Sequence, residues 1–180
     1  MKFKILTFLG IIISLISCKN DNKNESSNSE TKELIEAKVP GIKFSIDAII
    51  KDNDTLQVYY RYDSSSDYVS EQSVNAVVKG SDSIQEVNFE IPGDKVIADF
   101  RLDIGNNVNQ RPIQFKGFKM ELNGKRFQTV DTMFIQYFNP NNQIEYDRKT
   151  STATILKNIT PYDPLFVPRE PLLDEIKKLY

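Results

Sequence analysis

Ile42-Lys43-Phe44-Ser45-Ile46-Asp47 alternates apolar and polar side chains residue by residue. Fourteen positions on, Leu56-Gln57-Val58-Tyr59-Tyr60-Arg61-Tyr62 does so again in β-branched and aromatic residues. Period two with β-forming residues is the mark of a half-buried strand, one face on a core and one in water. Lys51-Asp52-Asn53-Asp54 between the two runs reads as a turn.

Working outward, the same alternation marks Val74–Val78, Val87–Ile91 and Val96–Ile104, separated by Gly80-Ser81-Asp82 and Pro92-Gly93-Asp94. In Phe100-Arg101-Leu102-Asp103-Ile104 the apolar residues share one face, and Arg101 and Asp103 share the other. The next run changes phase: Ile113 and Phe115 are followed by Phe118, Met120 and Leu122 on the opposite parity, with Gly117 at the slip. That predicts a β-bulge. Asn123-Gly124 predicts a two-residue hairpin leading into Arg126–Val130.

Met133–Phe138, Ile144–Tyr146 and Ala153–Ile159 read as shorter strands. Pro161, Pro164, Pro168 and Pro171 punctuate a tail, in which Pro171 opens a short helix over Leu172–Leu179. Many short strands at 8–12-residue spacing and almost no helix predict an all-β fold, a single β-sandwich of jelly-roll type over residues 39–160, followed by a Pro-rich tail at 161–180.

The N-terminus has a different character. Lys2 and Lys4 precede an apolar run from Ile5 to Ile16, interrupted by Thr7, Gly10 and Ser14. Roughly twelve apolar residues are too few to span a bilayer, which takes about 20. They suit the hydrophobic part of an export signal. Leu15-Ile16-Ser17-Cys18 resembles the lipobox of bacterial lipoproteins: an aliphatic residue, a variable one, a small one, then cysteine. That resemblance implies a signal peptide at 1–17, cleavage after Ser17, and lipidation of Cys18 as the anchor in the lipid bilayer. Several acyl chains, each CH₂ worth roughly 0.8 kcal/mol, make such an anchor effectively permanent.

Cys18 is the sole cysteine of the 180 residues, so the rest of the chain is expected to fold without disulfides. After it, Lys19–Glu30 contains no aliphatic or aromatic residue, which predicts a flexible tether over 18–38. Lys19 stands where an aspartate would, in enteric bacteria, retain the protein at the inner membrane; the comparison implies an outer-membrane address. A basic residue followed by acidic ones also loosely resembles the surface-export signal of Bacteroidetes lipoproteins, although Asn20 stands where an acid is preferred. Whether the protein faces periplasm or cell surface stays open.

Composition prunes the function classes. Taking Lys2 and Lys4 from the 23 basic residues leaves 21 against 25 acidic ones, a net of −4, with no basic stripe along the sequence to suit nucleic acid. Histidine is absent, which with the lone cysteine removes Ser-His-Asp and Cys-His nucleophiles and the usual zinc sites. No phosphate-cradling glycine motif occurs. Carboxylate chemistry of the glycosidase kind survives as a minor alternative.

The series Leu56-x-Val-Tyr-Tyr, Ser73, Val87-x-Phe-x-Ile-Pro92 and Phe100-Arg-Leu-Asp103-Ile-Gly105 resembles small jelly-roll, galactose-binding-like modules appended to bacterial membrane enzymes of surface-glycan assembly. The likeness covers Leu56–Leu122, and Ile104 stands where those modules have proline. It implies an extracytoplasmic sandwich in contact with glycan.

Candidate binding residues follow. Tyr59, Tyr60, Tyr62 and Tyr68 offer rings for sugar C–H faces and hydroxyls for sugar OH groups. By parity Tyr60 and Tyr62 go with Val58 and Tyr59 points the other way, so one of these faces is core. Arg101 and Asp103 form either part of a polar site or a same-face ion pair. Asp52, Asn53 and Asp54 have carboxylates and carbonyls of the kind a calcium loop uses, but such a cluster is far more often simply a turn, and no cofactor is expected. Asn106, Asn107, Asn109 and Gln110 make a polar loop suited to hydroxyl groups. The functional expectation is a non-catalytic, membrane-anchored glycan-binding or accessory lipoprotein. The alternatives are a structural or assembly lipoprotein docking onto another envelope protein, and a carboxylate-based glycan hydrolase.

Overall fold

A computed structural model describes residues 40–180. The signal peptide, Cys18 and the tether lie outside the described residues. The strands are β1 (Ile42–Ile49), β2 (Asp54–Arg61), β3 (Ser73–Val78), β4 (Gln85–Ile91), β5 (Asp99–Asp103) and β6 (Ile113–Leu122). There follow β7 (Lys125–Gln128), helix α1 (Phe134–Tyr137), β8 (Phe138–Pro140), β9 (Ile144–Asp147), β10 (Thr152–Ile155), β11 (Leu165–Pro168) and helix α2 (Glu170–Leu179).

They form two sheets. Sheet A runs β4-β1-β6-β10-β9, with β7 paired to the far half of β6, and sheet B runs β3-β2-β5-β11-β8. All pairings are antiparallel. The chain passes from β1 in sheet A to β2 in sheet B and turns back through β3, so that β4 lies beside β1. β5 and β6 then add to the free sides of β2 and β1, and β10 and β11 repeat the crossing further out. Winding a strand pair between two facing sheets in this way is the jelly-roll principle.

Alternation decides which side of each strand is core. Along β2 the buried positions are Asp54, Leu56, Val58 and Tyr60, and along β5 they are Phe100 and Leu102. Phenylalanines fill the space between the sheets: Phe44 of β1 meets Phe100 of β5 at 5.5 Å, and Phe115 of β6 stacks on Phe134 at 4.0 Å. Each such ring removed from water contributes roughly 1.5–3 kcal/mol.

The phase break in β6 is a bulge: Asp47 pairs with Gly117 and Ala48 with Phe115, so Lys116 is the extra residue. A side chain at Gly117 would meet the Thr129 carbonyl at 2.7 Å, which is why glycine sits there. Asn123 and Gly124 have φ of 52° and 78°, the left-handed pair that a type I′ hairpin requires.

Two segments differ from expectation. Met133–Phe138 is not a strand. Phe134, Ile135 and Phe138 are buried at i, i+1 and i+4, a helical spacing, and Phe134 stacks on Phe138 at 4.5 Å across one turn. The Pro-rich tail also belongs to the sandwich. Leu165–Pro168 pairs with both β5 and β8 inside sheet B, so the domain runs past residue 160. Pro164 and Pro168 stand just before the strand and at its end, where a missing N–H is tolerated. Helix α2 begins with Pro171 in its first turn and buries Leu172, Ile176 and Leu179. No described helix is long and apolar enough to cross a membrane.

Candidate functional site

The alternation that buries Val58 and Tyr60 turns Gln57, Tyr59 and Arg61 outward, and the register of β2 with β5 sets each opposite an acid or a base. Gln57 faces Asp103, Tyr59 faces Arg101, and Arg61 faces Asp99. The loop after β2 folds back over this face: Arg61 Nη1 donates to the Ser66 carbonyl at 2.5 Å. That fold brings Tyr68 down beside Tyr59, ring centroids 6.4 Å apart and edge to face.

Two guanidinium groups lie over the tyrosine rings, Arg101 over Tyr59 at 4.6 Å and Arg61 over Tyr68 at 4.5 Å. Such contacts are worth roughly 0.5–2 kcal/mol each according to desolvation. Each arginine also holds a carboxylate. Arg61 Nη2 donates to Asp99 at 2.6 Å, and Arg101 Nη2 to Asp103 at 2.8 Å. Asp163, carried in from the tail, reaches the same Arg101 nitrogen at 3.6 Å. Burial pushes the Asp103 carboxyl up to about 6, against the pull of Arg101. Burial and the Asp99 charge raise the Tyr68 hydroxyl as well.

The cluster does not exhaust its own hydrogen-bonding capacity. Among the described residues, Arg61 Nε, Arg101 Nε, Asp103 Oδ1 and the Tyr68 hydroxyl are buried without a hydrogen-bond partner of good geometry. Four such atoms in one patch is unusual, since most buried polar groups in folded proteins are satisfied. Along the same outer face, beyond Gln57, the sheet ends in an open depression of about 520 Å³. Thr55, Val77, Lys79, Asn106 and Asn107 line it.

Of the six candidate tyrosine, arginine and aspartate residues, four thus come together: Tyr59, Tyr68, Arg101 and Asp103. Tyr60 does not join them. It is 6% exposed, pointing between the sheets on the parity of Val58. Tyr62 packs against Tyr60 at 5.7 Å, and its hydroxyl donates to Asp94 at 3.3 Å, with burial and that charge raising it to about 12. Arg61 and Asp99 were legible by parity from Tyr59 and Arg101. Asp163 carried no local signal, because only the placement of β11 brings it there.

Asp52, Asn53 and Asp54 diverge into three separate partnerships. Asp52 takes both Nε and Nη2 of Arg111, at 3.0 and 2.9 Å. Asn53 accepts the Gly80 N–H at 2.8 Å. Asp54 Oδ1 accepts the backbone N–H groups of Thr55, Asn106 and Asn107 at 2.8–3.1 Å, which ties the turn to the asparagine loop. Among the described residues, no three acidic, cysteine or histidine side chains gather closely enough to hold a metal ion. Asn107 is a bridge of the fold as well, accepting from the Tyr162 hydroxyl through its carbonyl at 3.0 Å. Gln110 is buried, and neither of its amide atoms has a hydrogen-bond partner among the described residues.

Comparison with family models, curated proteins and solved structures finds no match to this chain.

Proposed function

We propose that this chain is a lipid-anchored accessory protein of the bacterial cell envelope, held in the outer membrane through Cys18, whose sandwich recognises glycan without catalysing a reaction. The carrying observation is the outer face of sheet B. Tyr59, Tyr68, Arg101 and Asp103 converge there as one part-exposed array of aromatic rings, guanidinium and carboxylate. Alternating donors, acceptors and ring edges suit a ligand whose hydroxyl groups alternate with C–H faces. The amide-lined depression at the end of the same face extends the array.

A non-catalytic role fits the way the acids are held. Asp103 and Asp163 converge, but on the guanidinium of Arg101, which occupies the space where a glycosidic oxygen would have to sit between an acid and a base.

The test is titration calorimetry of the purified full-length chain, in detergent, against a panel of neutral and charged oligosaccharides. The expected result is binding that Tyr59→Ala weakens about tenfold while the melting temperature stays near that of the native protein. Absence of heat across the panel, or binding indifferent to Tyr59→Ala and Arg101→Ala, would overturn the assignment to this face.

A second reading, docking onto another envelope protein, is favoured by one feature. The edge strand β3 carries no charge from Ser73 to Val78 and exposes Val77 at 86%. Uncharged free edges are templates for strand addition. Crosslinking from Val77→Cys in intact cells would recover a defined partner if this reading is right.

A further inference from the structure

We propose that the outer face of sheet A carries a separate binding groove for an extended acidic glycan, one bearing carboxylates along its length. The proposal stands apart from the reading of sheet B and uses none of its residues.

The groove lies where β1, β6 and β10 run side by side. Ile49 pairs with Gln114, and Gln114 with Thr152, so the three form one row across the outer face. Above that row is an open depression of about 430 Å³, floored by Ile49 and Pro112 and flanked by Lys51 and Arg111. A second depression of about 360 Å³ adjoins it, bordered by Lys116 and Lys149. Gln114 and Thr150, joined by a hydrogen bond from Gln114 Nε2 to the Thr150 carbonyl at 2.9 Å, line both, so the two lobes lie side by side as one trough in the proposal. Each lobe has the size of a small-molecule site.

Charge sets the ligand class. Four cations line the trough against one carboxylate, Asp82, which sits at the lip 84% exposed and 3.6 Å from Lys51. Asp147 lies just beyond Thr152, but its oxygens accept from the Lys149 backbone N–H and the Thr150 hydroxyl. Lys116 and Lys149 make no ion pair among the described residues. This is local enrichment on a chain whose overall charge is negative.

Arg111 is the positioned element. Asp52 grips its Nε and Nη2, and the Lys51 carbonyl accepts from Nη2 at 2.8 Å, while Nη1 has no hydrogen-bond partner among the described residues. A guanidinium already fixed on one edge loses little freedom when the other edge takes a carboxylate. Thr150, Thr152 and Gln114 line the trough between the cations, ordered by hydrogen bonds from Gln114 Nε2 to the Thr150 carbonyl at 2.9 Å and from the Thr150 hydroxyl to that of Thr152 at 3.0 Å. The groove offers no aromatic face for a nucleobase, since Phe115, which borders it, is fully buried.

Fluorescence anisotropy of a labelled galacturonate decamer with the full-length chain in detergent tests this directly. Binding should be at least tenfold tighter than that of neutral maltodecaose, and should weaken severalfold between 0.05 and 0.5 M NaCl. Lys116→Glu with Lys149→Glu, both at the surface, should cost at least tenfold, and Arg111→Gln a further severalfold, with circular dichroism melts showing that the variants remain folded. Tyr59→Ala should leave this binding untouched, which separates failure of the groove from failure of the sheet-B face. Equal binding of the neutral glycan, or no decamer binding, would overturn the proposal. So would equally tight binding of poly-glutamate, or charge-reversal-sensitive binding to phosphatidylglycerol vesicles without decamer binding, since those outcomes assign the trough to acidic peptide or to membrane surface.

Discussion

At the scale of single residues, Asp103 offers the sharpest test. An unfolded aspartate titrates near 3.8, and burial in the sheet-B cluster raises this one to about 6. Folding therefore favours its protonated form. Its contribution to stability grows as pH falls through 6, is complete below 3.8, and is absent at neutral pH, where the charged form is penalised. Asp52, Asp63, Glu86 and Asp147 are shifted the other way, held down by hydrogen bonds, so their stabilisation fades only below about pH 4.5. With no histidine in the chain, the interval from pH 7 to 5 isolates Asp103. The melting temperature should rise across that interval on acidification, and Asp103→Asn should flatten the slope. A slope unchanged in that variant would contradict the burial. Gly105 gives a second test. Its φ of +123° is one that side chains rarely adopt, and a Cβ there would fall 2.1 Å from Asp54 Oδ2. Gly105→Ala should cost about 2 kcal/mol or more in urea unfolding, against about 1 kcal/mol for Gly124→Ala, where φ is +78° and nothing lies within 4 Å. How much of the candidate site is legible in sequence follows the same local logic. Parity alone placed Arg101 and Asp103 on one face and separated Tyr59 from Tyr60, whereas Tyr68 and Asp163 arrive through a loop reversal and a late strand that no short-range signal encodes.

Among the elements, those with clean alternation were readable and those without it were not. β1, β2, β4 and β5 announce themselves because each has one wet and one dry face. The bulge at Gly117 and the turn at Asn123-Gly124 were readable because each requires a backbone state that few residues supply. Phe134–Tyr137 misleads because Met133–Phe138, apolar but for Gln136, fits either a buried strand or a buried turn of helix, and only packing against Phe115 and Phe138 decides. β11 hides between prolines, and its four residues have meaning only once β5 and β8 stand on either side. Helix α2 closes the sandwich by its apolar face, Leu172, Ile176 and Leu179, with Lys125 Nζ of β7 donating to the Lys178 carbonyl at 3.2 Å. Ile176→Ala should destabilise by about 2–4 kcal/mol, as expected for a fully buried aliphatic side chain. Lys177→Ala, which removes an exposed pair with Asp174, should change stability by less than about 0.5 kcal/mol. Chemical denaturation of the two variants side by side tells whether the helix is a structural lid or a loosely attached tail.

For the whole molecule, the decisive relation is between a sandwich that holds together without a disulfide and a single cysteine, Cys18, that lies outside the described residues. The described sandwich contains no cysteine, and its core is built from seven fully buried phenylalanines and their aliphatic neighbours in two sheets. Cohesion on that scale does not depend on a disulfide. The sole cysteine is thus free to serve as the anchor the lipobox-like sequence implies, and the two roles should separate cleanly under mutation. Cys18→Ala is expected to abolish incorporation of radiolabelled fatty acid and to leave the uncleaved precursor in cells. The same variant, purified, should melt within about 1 °C of the native chain, with or without reductant, because the described sandwich contains no cysteine of its own. Normal processing and membrane retention of the variant would refute the anchor. A fall of many degrees in its melting temperature would instead show that Cys18 supports the fold.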